Sequence, residues 1–247
     1  MMIEVCAGSL TDCLTAQELG ASRIELNSAL HLGGLTPSLA TVILAKQKVF
    51  PPIICMVRPR GGGFCYSDLE KDEMFLAAKQ FLEAGVKGIA FGFLQSDGTI
   101  DQVATKRMIK LCNDYQAESV FHRAIDCTTN YQESIAQLVN LGATRILTSG
   151  GKANVRQGVD NLRHIQKDYG NQIELCIGCG ITPENVCELI EATTIRQIHG
   201  SFKEWQTDPT TSNQYVSYRY SEQGDYDAVG SHKLAKAINN IRGNTNG

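Results

Sequence analysis

A short strand followed by a helix, repeated eight times at intervals of about 30 residues, restricts this chain more than any other feature. The clearest strand is Arg23-Ile24-Glu25-Leu26-Asn27, which alternates strictly: three polar residues on one face, Ile24 and Leu26 on the other. It runs into the glycine-containing loop before Pro37, and a helix over Ser38–Lys48 follows. Strands are expected at Met2–Cys6, Arg23–Asn27, Ile53–Val57, Gly88–Gly92, Ser119–Arg123, Arg145–Thr148, Ile173–Ile177 and Gln197–His199. Further helices are expected from Asp12 to Leu19 behind the Ser9 cap, then over Leu69–Ala84, Asp101–Tyr115, Tyr131–Asn140, Asn154–Tyr169, Thr182–Ala192 and Ser231–Arg242. The polar stretch Glu204–Asp227 reads as one long loop.

Strands that alternate with helices make a parallel sheet. In an open, doubly wound sheet the inner strands would be apolar on both faces. Here they carry polar residues on one face, which argues for closure into an α/β (β/α)8 TIM barrel, with residues 1–247 forming a single domain. In such a barrel the apolar face of each strand lies against the outer helices. That parity turns Glu4, Cys6, Glu25, Asn27, Met56, Arg58, Val120, His122, Glu174, Cys176, Gly178 and His199 inward. Buried charges are costly unless paired, so the upper lumen becomes the candidate site.

Four groups of residues carry chemistry there. Arg58 and Arg60 stand beside three glycines at the end of the third strand, a pair suited to a carboxylate or phosphate, and Arg58 could equally neutralise Glu25 or Glu4 across the lumen. His122, Arg123 and Asp126 leave the fifth strand as a base, a cation and a carboxylate, and with Glu25 and His199 they make an acid–base set. Ser149-Gly150-Gly151, and Gly178 with Gly180, offer backbone amides to an anion at the corner where many barrels bind phosphate. Cys6 and Cys176 point inward as thiols able to hold a soft ion such as Cu(I), although buried cysteines are common in a reducing compartment.

A net charge of −3 gives no electrostatic case for nucleic acid or an anionic membrane. No apolar run reaches the roughly 18 residues of a spanning helix, and the N-terminus carries no secretory pattern. Nine cysteines, an odd count in a chain of this size, read as free thiols of a cytoplasmic protein. The tyrosines at 215, 218, 220 and 226 suit a homodimer contact or a cover over the barrel mouth.

The chain resembles the CutC family over nearly its whole length. The resemblance rests on Ile3-Glu4-Val5-Cys6, Arg23-Ile24-Glu25-Leu26 with Gly33-Gly34-Leu35-Thr36-Pro37-Ser38, and Arg58-Pro59-Arg60-Gly61-Gly62 with Tyr66-Ser67. Phe121-His122-Arg123-Ala124 with Asp126, Leu147-Thr148-Ser149-Gly150-Gly151, Gly178 with Gly180-Ile181, and His199 complete it. The resemblance implies a TIM barrel, a cytoplasmic location, oligomerisation and a role in binding or trafficking copper. It also implies copper ligation by cysteines ending the first two strands. Cys6 matches the first, whereas Asn27 stands at the second, so Cys176 or a histidine would have to complete a Cu(I) site. The other reading is an enzyme of lyase, isomerase or hydrolase type acting, through acid–base residues in the upper lumen, on a small anionic metabolite such as a phosphorylated one.

Overall fold

A computed structural model describes residues 1–244. Eight parallel strands close on themselves in sequence order: β1 (Met2–Ala7), β2 (Arg23–Leu26), β3 (Ile53–Met56), β4 (Gly88–Phe91), β5 (Glu118–Phe121), β6 (Arg145–Thr148), β7 (Glu174–Ile177) and β8 (Gln197–Gly200). β1 completes the barrel by pairing with both β2 and β8. Around it run α1 (Leu10–Leu19), α2 (Leu39–Lys48), α3 (Asp68–Glu83), α4 (Gln102–Asp114), α5 (Tyr131–Leu141), α6 (Val159–Tyr169), α7 (Val186–Thr193) and α8 (Ser231–Asn244). The (β/α)8 barrel expected from the sequence is therefore the fold.

Local chemistry sets the helix ends. The Ser9 hydroxyl accepts from the Asp12 amide and starts α1, and Gly20 stops it in the left-handed region. Ser67 and Glu70 form a reciprocal capping box at α3. α6 begins five residues later than the sequence suggests. Residues 152–158 instead fold back over the end of β6, with the Val155 amide donating to Cys179 O and Asn161 Nδ2 to Gly150 O. A Cβ at Gly158 would collide with Ser149 O, so only glycine permits that return.

The apolar strand faces pack against the helices in one continuous core that includes Ile24, Leu26, Ile53, Phe91, Phe121 and Ile198. The lumen is layered. At its lower end Arg23 bonds Glu4 and Gln197, and Arg145 pairs with Glu118 and Glu174. Above lies a dry layer of Ile54, Met56, Ala90, Val120, Leu147 and Cys176. The sequence suggested a lumen lined with charged groups instead of apolar ones, but it holds both: the apolar set comes from β3–β7, and on the β8–β1–β2 side Glu4 bonds His199, which links the charges of the lower end to those of the upper. Glu174, expected inside, sits half-exposed at the lower rim, where water reaches its carboxylate.

The stretch 204–227 is not one loop. Its ends form an antiparallel pair, β9 (Lys203–Gln206) with β10 (Tyr226–Val229), and residues 207–225 connect them. The hairpin is pinned to the barrel by the Val229 amide on Asp12 Oδ1 and by Tyr220 stacked on His31. Among the described residues, no helix is long and apolar enough to cross a membrane.

Candidate functional site

Above the dry layer opens a cavity of about 210 Å³, lined by Cys6, Glu25, Met56, Arg58, His122 and His199 among others. Cys6, Gly33, Arg123 and His199 also border a wider space of about 330 Å³ that reaches Gly180, Ser201, Lys203 and Asp227. The strand parity thus carries residues from β1, β2, β3, β5, β6 and β8 to one place.

On one wall, Cys6, Glu25 and His199 each present a ligand atom within 4.8 Å of the other two. β1 and β2 pair Cys6 with Glu25, and β8 lays His199 beside Glu4. His199 Nδ1 meets Glu4 Oε1 at 2.8 Å, so Nε2 is the nitrogen left for a ligand. Burial opposes charge on both partners. It is outweighed: the His199 bond and the cations His199, Arg23 and Arg145 hold Glu4 down at about 2. The acidic and thiol neighbours Glu25, Cys6 and Glu4 hold His199 well above its ordinary value. Burial raises the Cys6 thiol and the Glu25 carboxyl. Asn27 Nδ2 donates to Glu25 Oε1 at 3.0 Å and approaches Cys6 Sγ at 3.4 Å, so it orients both groups, while Glu25 Oε2 is buried without a partner. Cys176 lies in the dry layer, apart from this cluster, its thiol pushed by burial to about 12.

On the facing wall, Arg58 is fixed by three carbonyls, donating Nη1 to Leu32 O and Gly34 O and Nη2 to Gly62 O. His122 Nδ1 accepts the Ala124 amide at 3.1 Å, which places the ring proton on Nε2. The ring lies against bare backbone at Gly92, where a Cβ would come within 2.5 Å of Cε1. Burial, then the charges of Arg58 and Arg123, drive its pKa to about 3. His122 is therefore a neutral donor. The sequence suggested a base there.

The expected anion corner holds an anion of its own. The carboxylate of Asp126 accepts the Ser149 and Gly151 amides at 2.9–3.1 Å, the Thr148 hydroxyl at 2.6 Å and Arg123 Nε at 2.9 Å. The Gly150 amide goes to Thr148 Oγ1, and the Gly178 amide to Thr148 O. Asp126 is thus bound into the β6 turn and does not face the cavity. Arg60 turns away as well, with its Nε 2.5 Å from Glu70, its other nitrogens on loop carbonyls and its guanidinium over Tyr66. Gly178 admits His199 and Leu147 side by side, and Gly180 borders the wider space. Phe64 and Leu147 line the cavity although the sequence reading passed over them. Outward packing of the apolar Ile146 against the helices would have turned Leu147 inward.

A family model described as the CutC family matches residues 1–204. A "family protein CutC" of Treponema denticola is 39% identical over 243 residues, spanning 97% of this chain and 98% of that relative. One of Aliivibrio fischeri is 38% identical over 203 residues, 82% of each. A crystal structure from Streptococcus agalactiae, provisionally named copper homeostasis protein CutC, superposes with a TM-score of 0.76 at 32% identity, covering 81% of this chain and 98% of that one. Phosphoribosylanthranilate isomerase of Thermotoga maritima shares the fold alone, with a TM-score of 0.57 at 12% identity over 98% of this chain and 99% of that one.

Proposed function

This chain belongs to the CutC family, and from that membership we propose that it binds copper as cargo in the upper barrel, through Cys6, Glu25 and His199. The observation that carries this reading is the meeting of three ligand atoms within 4.8 Å, one on a buried residue and two on half-buried ones. A thiolate and an imidazole suit Cu(I), and the carboxylate adds a harder third donor, so the set also fits Zn(II). Asn27 acts here as an orienting neighbour, because its amide donates to Glu25 and approaches the sulfur. We read the compartment as the cytoplasm, where nine free cysteines stay reduced, and the exposed Tyr215 and Tyr218 as a homodimer contact.

Anaerobic titration of Cu(I) against a competing chelator tests the metal site. Cys6→Ser is expected to weaken binding at least tenfold, and Asn27→Ala by roughly tenfold through loss of orientation. Wild-type affinity in Cys6→Ser would overturn the assignment. A parallel Zn(II) titration shows which ion the three donors prefer.

Acid–base chemistry on a small anion is the second reading. Its support is that His122 and Glu25, which line one cavity, each carry a buried atom without a protein partner, Nε2 and Oε2. His122 then polarises an oxygen as a neutral donor and does not remove a proton.

A further inference from the structure

The geometry points to a binding site for a small hydroxy acid in the 210 Å³ cavity, its carboxylate accepting from His122 Nε2 and its hydroxyl meeting Glu25 Oε2. This deepens the second reading above by naming the ligand class, and it concerns the metal-free chain, because copper would take the same Glu25 carboxylate.

Both atoms are buried without a protein partner, on residues 4% and 2% exposed that line the same cavity. A buried polar atom left in this state costs about 1–3 kcal/mol, so the two ask for a ligand with an oxygen at each end. The tautomer fixes the first end. Because Nδ1 is committed to the Ala124 amide, Nε2 donates, and its partner must be an acceptor. The field makes that acceptor an anion, since Arg58 lines the same cavity and Arg123 stands at its edge. Neither arginine is free to swing away: three carbonyls hold Arg58, and Asp126 with the Ser149 hydroxyl holds Arg123.

At the second end Glu25 Oε1 is taken by Asn27, leaving Oε2. A hydroxyl suits it in either protonation state, because it both donates and accepts. The walls between are apolar, made by Met56, Leu147 and the face of Phe64, whose ring centre lies 5.1 Å from that of His122. Apolar walls call for a carbon skeleton in preference to a bare inorganic ion. The volume lies below the roughly 300–1,000 Å³ of common ligand sites, which limits the skeleton to a few carbons.

Calorimetric titration of the metal-free full chain with lactate, propionate and inorganic phosphate tests the assignment. Lactate is expected to bind roughly tenfold more tightly than propionate, which lacks the hydroxyl, and phosphate more weakly than either. His122→Phe should abolish lactate binding, whereas His122→Gln, which keeps a donor, should retain most of it. The ring 15N resonance of Nε2 should move on lactate addition in the wild type, a readout that does not depend on the variants folding. Equal affinity for lactate and propionate, binding of phosphate alone, or no binding by any of the three would each overturn the proposal. Because no metal is present, these outcomes are independent of the copper titration.

Discussion

Lowering the pH from about 7 to about 4 is expected to destabilise the wild-type protein through His122, and a His122→Gln variant should escape that part of the loss. The folded protein holds this ring neutral, its pKa driven from an ordinary 6.5 to about 3 by burial and then by the charges of Arg58 and Arg123. An unfolded chain takes up the proton near 6.5. Between those values the unfolded state binds more protons, so stability falls as pH falls, beginning below about 6.5 and finishing near 3. At about 1.4 kcal/mol per pH unit the full loss is about 5 kcal/mol, a large share of a domain's stability. Urea unfolding midpoints at several pH values measure it. The acidic groups common to both proteins cancel, so curves for wild type and His122→Gln that stay parallel would refute the assignment of a buried neutral imidazole.

Replacing Arg23 by methionine is the second change expected to have a large effect. Arg23 is 2% exposed, its Nε lies 2.5 Å from Glu4, and Nη2 donates to Gln197. Removing it leaves a buried carboxylate low in the lumen bonded to His199 alone, with Arg145 acting on it only through its charge. Breaking a buried pair from one side costs about 3–5 kcal/mol, mostly because the remaining charge has lost its partner. For a chain of this length that corresponds to roughly 10 °C in Tm. The double variant Arg23→Met with Glu4→Gln should recover part of the loss. A double variant as unstable as the sum of its singles would show that the two residues do not act together.

The lumen-facing set was legible in the sequence wherever a strand alternated cleanly. Glu25 and Asn27 flank Leu26, and Phe121 precedes His122, so the period of two carried the side chains inward. Arg145 was harder to place. An arginine opening a strand reads as a solvated end, and only the closed barrel brings Glu118 and Glu174 from neighbouring strands to meet it. The state of His122 was not legible either, because it depends on the direction of a single amide, that of Ala124. The same holds for Asp126. The spacing of Ser149, Gly150 and Gly151 describes amides ready for an anion, but a one-dimensional pattern does not say that a carboxylate 23 residues upstream already fills the place. The short strands β9 and β10 were hidden by the polar composition of the segment that contains them.

The bond set around Asp126 also shapes the rim of the barrel. The turn after β6 is tied to the turn after β5, and residues 152–158 fold back over the end of β6, so that part of the rim is held rigid. The wider space opens on past Gly33, Gly180, Ser201 and Lys203, beside the hairpin. Lys203 and Asp227, their charges 3.4 Å apart, border the same space as Cys6, so a charged cargo entering there meets an ammonium and a carboxylate on the way to the thiol.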